Sequence, residues 1–146
     1  MSGAQGSQGA VPAQPELMRL NADGPVLLGS RCPKCDRSYF PRRWECAVDL
    51  SPCEDVDLSR TGVLHVATYI RTPAYGREQR DAEGYGVGEI DLPEGVRIQS
   101  VLLGSEGSWV PGSPFRIVGE SIGDDAEGRA RILFRFERDP GAGVSS

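Results

Sequence analysis

The sequence predicts a mainly β protein: an N-terminal zinc ribbon followed by a small five-stranded barrel. Three observations carry this. All four cysteines fall within residues 32–53, "CPKCDRSYFPRRWECAVDLSPC". Residues 59–139 alternate apolar and polar positions with a period of two, which is the mark of half-buried strands. Glycine (19) and proline (11) are frequent enough in 146 residues to favour turns over long helices. The length suits one compact domain, or a small module joined to one.

The first fifteen residues, "MSGAQGSQGAVPAQP", are small and polar and read as a disordered tail. They lack the basic start and apolar centre of a signal peptide, so a reducing cytoplasm is expected. Metal binding is then a better use of paired thiols than disulfides. Residues 16–58 hold a lead-in, "ELMRLNADGPVLLG", and the cysteine cluster. The lead-in reads equally as a short helix or as strand. No apolar run approaches the roughly 18 residues that a membrane helix needs.

In the ribbon, Cys32 and Cys35 form a C-x2-C knuckle, a turn that converges two thiolates on one ion and exposes backbone N–H groups to the sulfurs. The second half is irregular. Asp49 stands where the second thiol of a matching knuckle would be, and Cys53 follows four residues later. Because soft thiolate outcompetes carboxylate for zinc, the expected ligands are Cys32, Cys35, Cys46 and Cys53, with Asp49 as the alternative fourth. Four protein ligands leave no open position, so the site is structural, and in a module this small metal binding contributes directly to folding. Iron in the same four-sulfur site would instead make an electron carrier.

The barrel strands follow in order. In "GVLHVATYI" (62–70), strict alternation puts Leu64, Val66, Thr68 and Ile70 on one face. "YGVGEIDL" and "VRIQSVLL" form a hairpin over residues 85–103 around the "PEG" turn, with Ile90, Leu92, Val96, Ile98, Ser100 and Leu102 inward. "FRIVGE" (115–120) is a short fourth strand. "RARILFRFE" (129–137) is the fifth, with Ala130, Ile132, Phe134 and Phe136 facing in. Closing such a sheet removes its edges. Two polar loops, residues 71–86 and 104–114, interrupt it, and the last residues, 140–146, form a second flexible tail. Trp109 and Tyr75, in those loops, are candidate anchors for a partner, or equally caps on the ends of the barrel.

Net charge is −5 and the pI is about 4.9. That disfavours nucleic-acid binding, which relies on a basic surface to displace counterions. Local positive charge is confined to stretches such as "FPRR" (40–43). Catalytic signatures are missing. His65 is the single histidine and sits inside a strand pattern. No G-x-S-x-G or Walker-type phosphate loop occurs, and "GYGVGE" lacks the third glycine and the helix of a dinucleotide fingerprint. No catalytic residue is assigned.

Taken in order, "GSRCPKCDRSYFPRRWEC", "LSRTGVLHVATYI", "GYGVGEIDLPEGVRIQSVLLG", "PGSPFRI" and "ILFRFER" resemble the zinc-ribbon/OB-fold family of acyl-CoA-associated proteins. The likeness covers residues 28–138 and departs from the family at the second knuckle. It implies a rubredoxin-like zinc ribbon packed on a five-stranded OB barrel. It also implies a non-catalytic subunit of a thiolase-type acyl-CoA enzyme in a hetero-oligomer, with the chemistry on the partner chain; a benzoylsuccinyl-CoA-type thiolase is one instance. Subunits of CoA-thioester hydratases or aldolases are the nearest alternative, and a single-stranded nucleic-acid module the more distant one. On this reading Arg42 and Arg43, then Arg71, Arg77 and Arg80, are the candidates to meet the phosphates of a coenzyme A thioester shared with the partner.

Overall fold

The computed structural model describes residues 9–70 and 84–140. Among the described residues, ten strands form two units. β2 (Met18–Asn21), β3 (Gly24–Arg31), β4 (Ser38–Tyr39) and β5 (Glu54–Asp57) build the ribbon, with β3 pairing to the other three. β6 (Thr61–Ile70), β7 (Tyr85–Asp91), β8 (Arg97–Leu102), β9 (Pro114–Asp124) and β10 (Ala130–Arg138) build the barrel. Its strands run β6–β7–β8–β10–β9 and back to β6, so the sheet closes. Among the described residues no helix is long and apolar enough to cross a membrane.

The lead-in is a hairpin and not a helix. Asn21 pairs with Gly24 across the turn, Asn21 Oδ1 accepts the Asp23 N–H at 3.2 Å, and Gly24 takes φ +116°. "NADG" is turn chemistry, because asparagine bonds its own backbone and glycine adopts positive φ at no steric cost. The expected β7–β8 hairpin is present. Leu92 and Gly95 close its turn, and Ile90, Leu92, Val96, Ile98, Ser100 and Leu102 are buried. β9 is longer than the "FRIVGE" segment, running to Asp124 along β10.

Strict alternation fails in β6. Leu64 pairs with Ile90 but Val66 pairs with Glu89, so His65 is an extra residue in the ladder. This bulge reverses the parity: Leu64 is buried, Val66 is exposed, and Ala67 and Tyr69 take the inward places. A bulge inserts one residue and re-aims everything after it, which sequence alternation does not reveal.

Part of the segment read as tail is a strand. β1 (Ala10–Pro12) pairs parallel with Ala130–Ile132, and Ala13 N–H donates to the Ile132 carbonyl at 2.8 Å. β10 meets β8 only near its end, at Phe136 and Leu102. Its first half would otherwise be an open edge, and β1 covers it.

One hydrophobic cluster runs through both units. Met18, Leu27 and Leu58 from the ribbon join Leu64, Ile90, Phe115, Ile117 and Phe136 of the barrel. Phe40, beyond β4, meets Phe134 edge to face at 6.3 Å between ring centres. The ribbon is therefore held on the barrel by shared apolar packing. A polar clamp reinforces the junction: Glu94 Oε2, in the β7–β8 turn, accepts both the N–H and the hydroxyl of Ser59 at 2.8 Å.

Candidate metal centre

The first knuckle lies between the ends of β3 and β4. Cys32 N–H donates to the Arg37 carbonyl and Asp36 N–H to the Cys32 carbonyl, both at 2.8 Å, and Asp36 takes φ +66°. The second lies between Glu45 and Pro52, which form an isolated antiparallel bridge. There Cys46 N–H donates to the Ser51 carbonyl at 2.8 Å, Leu50 N–H to the Cys46 carbonyl at 2.9 Å, and Leu50 takes φ +63°.

The two turns bring Cys32, Cys35, Cys46 and Asp49 together. One donor atom from each lies within 4.8 Å of all the others. Cys35 Sγ is 3.3 Å from Cys46 Sγ, and Cys32 Sγ is 3.8 Å from Asp49 Oδ1. Tetrahedral zinc with bonds of about 2.3 Å to sulfur places its donors about 3.8 Å apart, so the donor set fits that ion. Cys32 and Cys46 are buried, Cys35 is partly covered, and Asp49 is at the surface.

Cys53, expected as the fourth ligand, is not in this group. Its N–H donates to the Trp44 carbonyl at 2.9 Å and its thiol lies 4.0 Å from the Ser51 carbonyl. The knuckle closes at Ser51, and Asp49, three residues after Cys46, falls within the donor group instead.

Hydrogen bonds split the thiols electrostatically. The Tyr39 hydroxyl, 3.3 Å from Cys46 Sγ, brings Cys46 down to about 7, aided by the Asp49 and Val48 N–H groups against the opposing effect of burial. Ala47 N–H donates to the Tyr39 oxygen at 3.1 Å, leaving the hydroxyl proton free for the sulfur. Cys35 moves the other way. The Arg37 N–H favours its thiolate, but burial and the neighbouring Cys46 and Cys32 outweigh it and raise the thiol to about 11. One thiolate and one thiol sharing a proton is the expected state of two sulfurs in contact.

The arginines proposed for coenzyme A are only partly free. Arg42 pairs with Asp55 at 3.3 Å and donates to the Glu16 carbonyl at 3.4 Å. Arg43 stacks over the Tyr39 ring at 5.3 Å and gives its Nε–H to the Glu45 carbonyl. Both wall a cavity of about 280 Å³ together with Leu17, Pro41 and Trp44. Arg71, Arg77, Arg80 and Tyr75 lie outside the described residues.

Trp109 is not a surface anchor. It is 7% exposed, tilts against Tyr69, and donates its indole N–H to the Leu103 carbonyl at 3.0 Å. Gly86 makes room for it, since a Cβ there would collide with the indole ring. Gly86 and Gly88 of "GYGVGE" thus serve packing. The exposed tryptophan is Trp44, 91% accessible, with Val48 and Leu50 also exposed on the second knuckle. Sequence reading passed over Trp44. Its only signal is an aromatic beside a ligand cysteine in a module too small to bury it.

Known proteins agree with this geometry. A family model described as the rubredoxin-like zinc ribbon domain of ChsH2 matches residues 22–52. The benzoylsuccinyl-CoA thiolase subunit BbsA of Thauera aromatica is 32% identical over 134 residues, with 85% of each chain covered. Two solved structures share the fold. One, described as an Ltp2-ChsH2(DUF35) aldolase, has a TM-score of 0.55 at 24% identity, covering 75% of this chain and 84% of that one. The other, a DUF35-family protein of unknown function from Sulfolobus solfataricus, has a TM-score of 0.50 at 17% identity, covering 94% and 85%. The chain belongs to the zinc-ribbon/OB-fold family of acyl-CoA-associated proteins, whose members include that thiolase subunit.

Proposed function

We propose that this chain is a non-catalytic, zinc-stabilised subunit of a thiolase-type acyl-CoA enzyme, with thioester cleavage or condensation carried out on the partner chain. The observation that carries this reading is the 32% identity to a thiolase subunit across 85% of both chains. The zinc ion would cross-link the two knuckles with no open position for substrate. The donor cluster then has a structural use, and no catalytic role is left for its cysteines.

An obligate partner also gives the exposed Trp44 a use, because tryptophan is a favoured interface anchor. The cavity beside it carries Arg42 and Arg43. Their guanidinium groups suit the phosphates of coenzyme A bound between the two chains. Ion pairing weighs against a nucleic-acid module. Arg19 pairs with Asp57, Arg31 with Asp36 and Glu54, Arg97 with Asp91, and Arg116 with Glu137, which ties up much of the positive charge among the described residues.

Tagged co-expression with thiolase-like chains of the same organism tests the reading. A stoichiometric complex, with CoA-dependent thioester cleavage that needs both chains, is the expected result. A chain that stays monomeric with every such candidate, yet binds single-stranded DNA at low salt, overturns it.

A further inference from the structure

The two knuckles repeat each other position by position. One residue before the first cysteine, Arg31 pairs with Ser38; one before the second, Glu45 pairs with Pro52. At the cysteines themselves, Cys32 and Cys46 each donate N–H to the carbonyl five residues on, Arg37 and Ser51. Four residues on, Asp36 and Leu50 are both left-handed, and each returns an N–H to its cysteine carbonyl. Three residues on, the ligand positions are Cys35 and Asp49. Seven residues on stand Tyr39 and Cys53. Tyr39 pairs with Ser30 in the ladder, and Cys53 N–H bonds Trp44, each two residues before its own knuckle cysteine.

This correspondence gives Cys53 a place. Tyr39 reaches across from the first knuckle to the sulfur of Cys46 in the second, at 3.3 Å. Its counterpart Cys53 lies outside the donor group, with its thiol 4.0 Å from the Ser51 carbonyl.

We infer that the ribbon holds its zinc with three thiolates and one carboxylate, Cys32, Cys35, Cys46 and Asp49, and that Cys53 is a free outer thiol standing where Tyr39 stands on the other side. The inference concerns the ligand set alone and does not depend on the subunit reading. Asp49 is the surface-facing member of the cluster, so its carboxylate is the side from which the ion meets solvent or a chelator.

X-ray absorption at the zinc edge on the purified full-length protein tests this without any activity assay. The expected shell is three sulfurs at about 2.3 Å and one oxygen at about 2.0 Å. Cys53→Ser should keep that shell and a full equivalent of zinc. Asp49→Ala should weaken zinc binding beyond the about 10–100-fold effect of an outer partner. If Asp49→Ala fails to fold, the wild-type and Cys53→Ser spectra still decide the matter. A four-sulfur shell that drops to three sulfurs in Cys53→Ser overturns the assignment, as does a protein that takes up no zinc.

Discussion

Cys35 and Asp49 occupy the same place in two copies of one turn, each three residues after a buried cysteine and one before a left-handed residue. On the inferred ligand set, position and not donor softness selects the group that faces the ion. Replacing Asp49 by cysteine should therefore restore a four-thiolate site. Chelator competition should show Asp49→Cys releasing zinc more slowly than wild type. Equal or faster release would mean that Asp49 does not face the metal.

Leu50 carries a strained backbone at an exposed position, with φ +63° and a side chain 68% accessible. A left-handed conformation costs an L-residue about 1–2 kcal/mol, and glycine offsets part of that relief through its own entropy. Leu50→Gly should raise stability of the isolated zinc protein by about 0.5–1 kcal/mol. Thermal melting checks this, and a lowered Tm would show that the leucine side chain has a packing role in the free chain.

Gly86 is required by Trp109. A methyl group there has nowhere to go, because the indole is itself fixed by Tyr69 and by the Leu103 carbonyl. Gly86→Ala should destabilise the barrel by about 1–3 kcal/mol, the usual cost of overfilling a packed site. Tryptophan fluorescence should report the displaced ring. An unchanged melting curve would contradict the packing described.

Glu94 ties the β7–β8 turn to the start of the barrel segment through Ser59. A charged acceptor of two hydrogen bonds is worth about 1.5–3 kcal/mol per bond lost at most, less where water can substitute. Glu94→Ala should lower the Tm while leaving the zinc content intact, because the clamp is remote from the donor cluster. Loss of zinc in this variant would mean that the junction also shapes the metal site.

Tyr39 should shift the pH dependence of metal uptake through Cys46, alongside the proton that Cys35 must also lose. Its hydroxyl lowers the Cys46 thiol to about 7, so near neutral pH a substantial fraction is already thiolate. A thiol whose folded value lies below its ordinary one adds stability to the metal-free protein at alkaline pH, and that stability is lost as pH falls through about 7. Tyr39→Phe removes the donor and raises the thiol. Protons then compete better, and half-saturation with zinc should shift to higher pH. A pH profile unchanged in Tyr39→Phe would contradict the assigned hydrogen bond.

Much of this molecule is legible in the sequence. Period-two alternation locates the five barrel strands, and "DLPEGVR" locates their clearest turn. The C-x2-C pair locates the ribbon. Three features are not legible, each for a physical reason. The His65 bulge leaves no compositional mark, so the inward set of β6 shifts without warning. Trp109 sits in a glycine-rich loop but is covered by the gap at Gly86, a contact between residues far apart in sequence. The donor grouping is hidden because donor chemistry favours Cys53 while the fold of the turn brings Asp49 to the other three.

The central claim is that this chain completes an enzyme whose chemistry resides on another chain. The most direct test is to titrate the purified zinc protein into an isolated thiolase-like partner and follow thioester cleavage by coenzyme A. The account predicts a saturable rise in activity that breaks at a fixed stoichiometry, with the same ratio found in the complex by light scattering. A partner equally active without this chain, and no complex at any ratio, would contradict it.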